Sequence, residues 1–176
     1  MRITALLFTL FLAMACSKTP TVDFGPDKQS KVTELEASAI TRAWFQGVRA
    51  FEQVVDLDGY CMMRGVFRKY SRNGDTSACQ ALYKGCLETG KVDLPTETYE
   101  DWQIALLESC EATVGQLETC TNDALKQLDK ALSSISCNTP PQMLDHKLQV
   151  PESCRLLEQS CIIPTLSYYI RNAGRE

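Results

Sequence analysis

Thr76-Ser77-Ala78-Cys79-Gln80-Ala81-Leu82-Tyr83-Lys84-Gly85-Cys86-Leu87-Glu88-Thr89 places apolar side chains at helical spacing and sets two cysteines seven residues apart. Seven residues make nearly two helical turns, so Cys79, Leu82 and Cys86 share a face and the two cysteines stand about 10 Å apart. A disulfide needs Cα atoms within about 7 Å, so within a helix these cysteines cannot bond to each other and each must reach another element. Gly90 then supplies a helix stop. Cys154 and Cys161 repeat the spacing. The reading that follows is all-α, a disulfide-stapled irregular helical bundle of about five to seven helices.

The chain on either side supports that reading. Val32, Leu35, Ala39 or Ile40, Ala43 or Trp44, Val48, Phe51 and Val55 recur at three- and four-residue spacing, predicting a helix over about 31–56 with Thr33 and Glu36 as a capping box. A shorter helix follows Asp58-Gly59, carries Met63, Val66, Phe67 and Tyr70 on one side, and ends at Asn73-Gly74. The longest periodic stretch runs from Tyr99 through Trp102, Leu106, Cys110, Val114, Leu117, Leu125, Leu128 and Leu132 to Ile135. As one helix it would be about 60 Å long, so a break is expected, and Thr121-Asn122-Asp123 offers cap residues for it. Pro140-Pro141 closes this part, Pro151-Glu152 opens a last helical segment, and Pro164 interrupts it.

Nine cysteines leave one over if the rest pair. Cys61, Cys79, Cys86, Cys110, Cys120, Cys137, Cys154 and Cys161 form the even set, which permits 105 pairings in principle. Loop geometry favours Cys86 with Cys110 across the turn at 90–95, and Cys137 with Cys154 across the Pro-Pro loop.

The leftover cysteine is Cys16. It follows Arg2, an apolar run from Ile3 to Leu12, and the small residues of Ala13-Met14-Ala15, the layout of an export signal; the run is shorter than the roughly 20 residues a membrane span requires. Leu12-Ala13-Met14-Ala15-Cys16 resembles the lipobox of bacterial lipoproteins, with Leu one position further from the cysteine than is usual. The resemblance covers only the leader. It implies cleavage before Cys16, lipidation of Cys16 including palmitate-type acyl chains, and, through Ser17, sorting to the outer membrane of a Gram-negative cell. An ordinary secretory leader would share the cleavage site and leave Cys16 unmodified; cysteine parity favours the anchor. The domain reading is therefore a signal peptide over 1–15, a lipidated cysteine and flexible tether over 16–30, whose Pro20, Gly25 and Pro26 have linker composition, and a single helical domain over 31–176.

Removing the leader takes away Arg2, leaving 17 basic against 22 acidic residues and a net charge of −5, which argues against nucleic-acid binding. Between Val92 and Leu125 there are acids and no Lys or Arg. Glu97, Glu100, Asp101, Glu108, Glu111 and Glu118 thus form a candidate face for a basic protein or an envelope component. The opposing reading is that these acids and the Arg64, Arg68, Lys69 and Arg72 cluster are solvated faces of one domain.

Catalytic and metal signatures are weak. No Cys-x2-Cys occurs and His146 is the only histidine, so neither a metal nor a cofactor is expected. Asp145-His146 lacks a companion motif, and adjacent residues on a helix do not face each other. Asp56-Leu57-Asp58-Gly59 has the opening of a calcium loop without its later ligands and reads as a helix end. The function expected is a membrane-anchored, non-enzymatic helical binding module. An exported hydrolase with an unrecognised site, or a structural envelope or immunity-type protein, are the alternatives.

Overall fold

The computed structural model describes residues 19–71, 74–90, 107–140, 142–143, 149–157 and 161. It is built of helices: α1 (Ala37–Val54), α2 (Leu57–Ser71), α3 (Thr76–Thr89), α4 (Val114–Leu132) and the short α5 (Glu152–Arg155), with a 3-10 turn at Val32–Glu34. There is no strand among the described residues beyond an isolated antiparallel bridge between Lys31 and Thr113. None of the helices among them is long and apolar enough to cross a membrane.

The region read as one helix over 31–56 is divided. Leu35 and Glu36 are extended, so the helix proper begins at Ala37 and the capping box at Thr33 and Glu36 does not form. Instead the Glu34 carboxylate accepts from the Lys31 backbone N–H at 3.2 Å. α1 then buries Ile40, Trp44, Val48 and Phe51, with Val55 buried at its C-cap, the face the periodicity predicts.

Two cores share α1 and α4. The first joins Ile40, Trp44 and Val48 to Leu117, Cys120 and Ala124, with Leu107 and Leu157 behind them. The second joins Ala50, Phe51 and Val54 to Leu125 and Leu128, closed by Met63, Val66 and Ile135. Both helices pass through the cores in the same order, so they run in the same direction. Trp44 is fully buried, and burying a side chain of that size contributes on the order of several kcal/mol.

α2 and α3 form an antiparallel hairpin, as Cys61 bonded to Cys86, Gly65 against Cys79, and Lys69 with Thr76 require. Asp75 caps α3 by accepting from Ala78 N–H at 2.8 Å, and Gly90 ends it in the left-handed conformation. Asp56 does the same for α2, accepting from Gly59 N–H at 2.7 Å, so Asp56-Leu57-Asp58-Gly59 is a helix start.

All eight cysteines after Cys16 are paired: Cys61–Cys86, Cys79–Cys137, Cys110–Cys161 and Cys120–Cys154. As the seven-residue spacing demands, Cys79 and Cys86 each bind a different element, and so do Cys154 and Cys161. The two pairings favoured from loop geometry are incorrect. Cys86 faces α2 because the α2–α3 hairpin brings its Cα to 5.5 Å from that of Cys61. Cys137 turns under α3 to reach Cys79, where Lys69 Nζ donates to its carbonyl at 2.7 Å.

The expected break at Thr121-Asn122-Asp123 is also incorrect. α4 is continuous through all three, and the chain breaks before Thr113 instead. Thr113 and Gln116 form a true capping box there: Gln116 N–H donates to Thr113 Oγ1 at 3.2 Å, and Thr113 N–H donates to Gln116 Oε1 at 2.9 Å. Pro151 precedes α5 as expected, whereas Pro164 lies outside the described residues.

Candidate functional site

The flexible tether expected over 16–30 is incorrect for its described part: residues 19–32 lie along α4 as an extended strap, because α4 offers side-chain and N-terminal backbone partners to its backbone. Its contacts follow an antiparallel register. Thr19 Oγ1 donates to Asp129, Val22 pairs with Asn122, and Phe24 N–H donates to Glu118 Oε2 at 2.7 Å. Further on, Gly115 N–H donates to Lys28 O at 3.0 Å, Val114 N–H to Ser30 O at 2.9 Å, and Val32 N–H to Ala112 O at 2.9 Å. The first amides of a helix have no partner within it. Here the strap carbonyls of Ser30 and Lys28 take two of them, and Thr113 takes the third. Gly115 makes the approach possible, because a Cβ there would stand 3.0 Å from Lys28 O.

Apolar burial completes the docking. Val22 is buried in the second core and Phe24 packs against both. Lys28 Nζ bonds to Asp23 and to Glu118. The Lys28 ammonium holds the Asp23 carboxyl below its ordinary value, assisted by the Gly25 N–H. Asp23, and then Glu118, raise the Lys28 pKa in turn.

At the N-terminal end of α4, the strap, α4 and α5 enclose a groove of about 560 Å³. Lys28 and Gln29 of the strap, Gln116 and Thr119 of α4, and Ser153 and Leu156 in and after α5 line it. Leu156 is 78% exposed at its lip. The groove hydroxyls are already engaged: Thr119 Oγ1 donates to Gly115 O at 2.8 Å and Ser153 Oγ to Asp123 Oδ2 at 2.8 Å. The arrangement offers shape and apolar contact, and no nucleophile beside a base lines it among the described residues.

The residues singled out from sequence are distributed as follows. Glu108 and Glu111 are exposed, with Glu111 paired to Lys31 at 2.7 Å. Glu118 is taken up by the strap. Glu97, Glu100, Asp101, His146 and Cys16 lie outside the described residues. Of the basic cluster, Arg64 is exposed, and Lys69 is committed to Cys137 O. Among the described residues, no group of three or more His, Cys, Asp or Glu side chains is arranged to hold a metal ion.

The strap-holding residues Asn122 and Asp129 were not identified from sequence. Glu118, Asn122 and Asp129 fall at i, i+4 and i+11, a polar stripe beside the apolar face of α4, and that periodicity was the available signal. Comparison of the chain with protein-family models, curated proteins and solved structures finds no match.

Proposed function

We propose that this is a lipoprotein, anchored through Cys16 to a bacterial envelope membrane, that displays a rigid, non-enzymatic binding domain. Cysteine arithmetic carries this reading. Nine cysteines less the eight in disulfides leaves Cys16, and Cys16 follows directly on an export-type leader. Disulfides persist in oxidising compartments, which agrees with export. A thioether to lipid uses the ninth sulfur without a partner cysteine, and several acyl chains make attachment effectively stable. Ser17 favours the outer membrane in a Gram-negative source.

The binding end in this reading is the groove with its exposed Leu156, and the exposed acids Glu108 and Glu111 supply the charge. An apolar contact together with exposed acids elsewhere on the domain suits a basic protein or envelope component, with charge setting orientation and encounter rate. Membrane fractionation followed by mass spectrometry tests the anchor: the predicted product begins at Cys16 and carries acyl chains. A soluble product with a free Cys16 thiol contradicts it. Replacing Leu156→Asp tests the groove, and unchanged capture of envelope partners by that variant contradicts its role.

A further inference from the structure

We infer that the domain turns the C-terminal end of α4, around Asp129 and Lys130, toward the lipid headgroups. This rests on the anchoring at Cys16 proposed above. The strap is what converts an anchor into an orientation. Were residues 17–30 a free tether, their 14 residues would reach on the order of 45 Å. Docking removes that slack, because Thr19 is held on Asp129 and Val22 on Asn122. Three peptide steps separate Cys16 from Thr19, about 10 Å when fully extended.

The far end of the domain is well separated from this point. α4 has 19 residues and is therefore about 28 Å long, with Thr19 at its C-terminal end and Glu111 just beyond its N-terminus. Lys126 and Lys130 are exposed one turn apart beside the Thr19 contact. Lys126 approaches Asp123 at 3.9 Å on the surface, and the exposed ammonium groups of Lys126 and Lys130 are suited to headgroup phosphates. The groove, at the opposite end of α4, is then directed away from the bilayer.

Energy transfer on the full lipidated chain in phosphatidylcholine vesicles tests this. A clickable unnatural residue replaces Lys130 in one sample and Glu111 in another, each carries a donor dye, and the acceptor is a headgroup-labelled lipid. Transfer is expected to be clearly stronger from position 130. A roughly ten-residue Gly-Ser insertion between Ser17 and Lys18 is expected to erase the difference, since a flexible linker restores slack. Equal transfer without the insertion, on protein whose Cys16 lipid is verified by mass spectrometry, overturns the orientation alone. An unmodified Cys16 overturns the anchoring reading and the orientation with it.

Discussion

Asn122 holds the Val22 backbone at both its donor and its acceptor: Oδ1 accepts from Val22 N–H at 2.8 Å and Nδ2 donates to Val22 O at 3.1 Å. A helix has no spare backbone groups along its side, since each is bonded within the helix. The primary amide supplies what a neighbouring strand would, so an extended segment can dock on a helix with its backbone satisfied.

Asn122→Ala removes both bonds and is expected to cost about 1–3 kcal/mol. Asn122→Asp keeps the acceptor and loses the donor, so it should fall between Ala and the native residue. Hydrogen exchange at Val22 and Phe24 is the readout, expected to accelerate more than exchange in α1 or α2. Unchanged exchange at Val22 in the Ala variant would show that the strap is held by other means.

The α2–α3 hairpin depends on a close approach at Gly65, where an added Cβ would stand 2.9 Å from Cys79 O and 3.2 Å from its Sγ. Neither atom can swing aside, because one is backbone and the other is bonded to Cys137. Gly65→Ala is therefore expected to destabilise by about 1–3 kcal/mol. Gly85, exposed on α3 with no atom within 4 Å of an added Cβ, is the control. There Ala should stabilise by about 0.5–1 kcal/mol. Denaturant midpoints shifting the same way in both variants would contradict the packing described.

Paired replacement of Cys61→Ala and Cys86→Ala opens a loop of 25-residue separation, and that of Cys79→Ala and Cys137→Ala one of 58. Loop-closure entropy puts each loss at about 3–4 kcal/mol. Thermal unfolding without reductant should show a fall in Tm for either pair. An unaltered Tm would mean that the bond is absent from the native protein.

The strap should stay docked across the neutral range. The Asp23 pKa is lowered from 3.8, so its contribution is present above 3.8 and lost as pH falls through the lower folded value. The Lys28 pKa is raised from 10.5, so its contribution is present below 10.5 and lost as pH rises through the higher folded value. Gly25 N–H donates to Asp23 Oδ1 at 3.1 Å, and its amide shift reports the first transition. A midpoint below 3.8 is expected; one at or above 3.8 would contradict the Lys28 contact.

Helix identity was largely legible because burial imposes a period. The apolar faces of α1 and α2 are recoverable from residue spacing alone, and the outward aim of Cys79 and Cys86 follows from helical geometry, whereas Leu82, expected on the same face of α3, is exposed. Partners about 100 residues away leave no comparable trace. Thr121, Asn122 and Asp123 have the chemistry of helix caps, yet Thr121 Oγ1 donates to Leu117 O, Asn122 grips Val22, and Asp123 accepts from Ser153. Short polar side chains serve a helix end or a tertiary contact equally well, and only the fold selects between them. The strap was hidden for a related reason: its composition suits a linker, and its docking energy resides in backbone groups and in Val22 and Phe24. Cysteine pairing was likewise beyond loop-length reasoning, because helix packing decides it: the α2–α3 register sets Cys61–Cys86, and α5 against α4 sets Cys120–Cys154.

Peptide mapping of the mature protein, digested without reduction and with free thiols blocked, tests the central account most directly. The predicted result is the linkages Cys61–Cys86, Cys79–Cys137, Cys110–Cys161 and Cys120–Cys154, with Cys16 outside every disulfide and lipid-bearing. A free thiol among those eight, or Cys16 recovered in a disulfide, would contradict it.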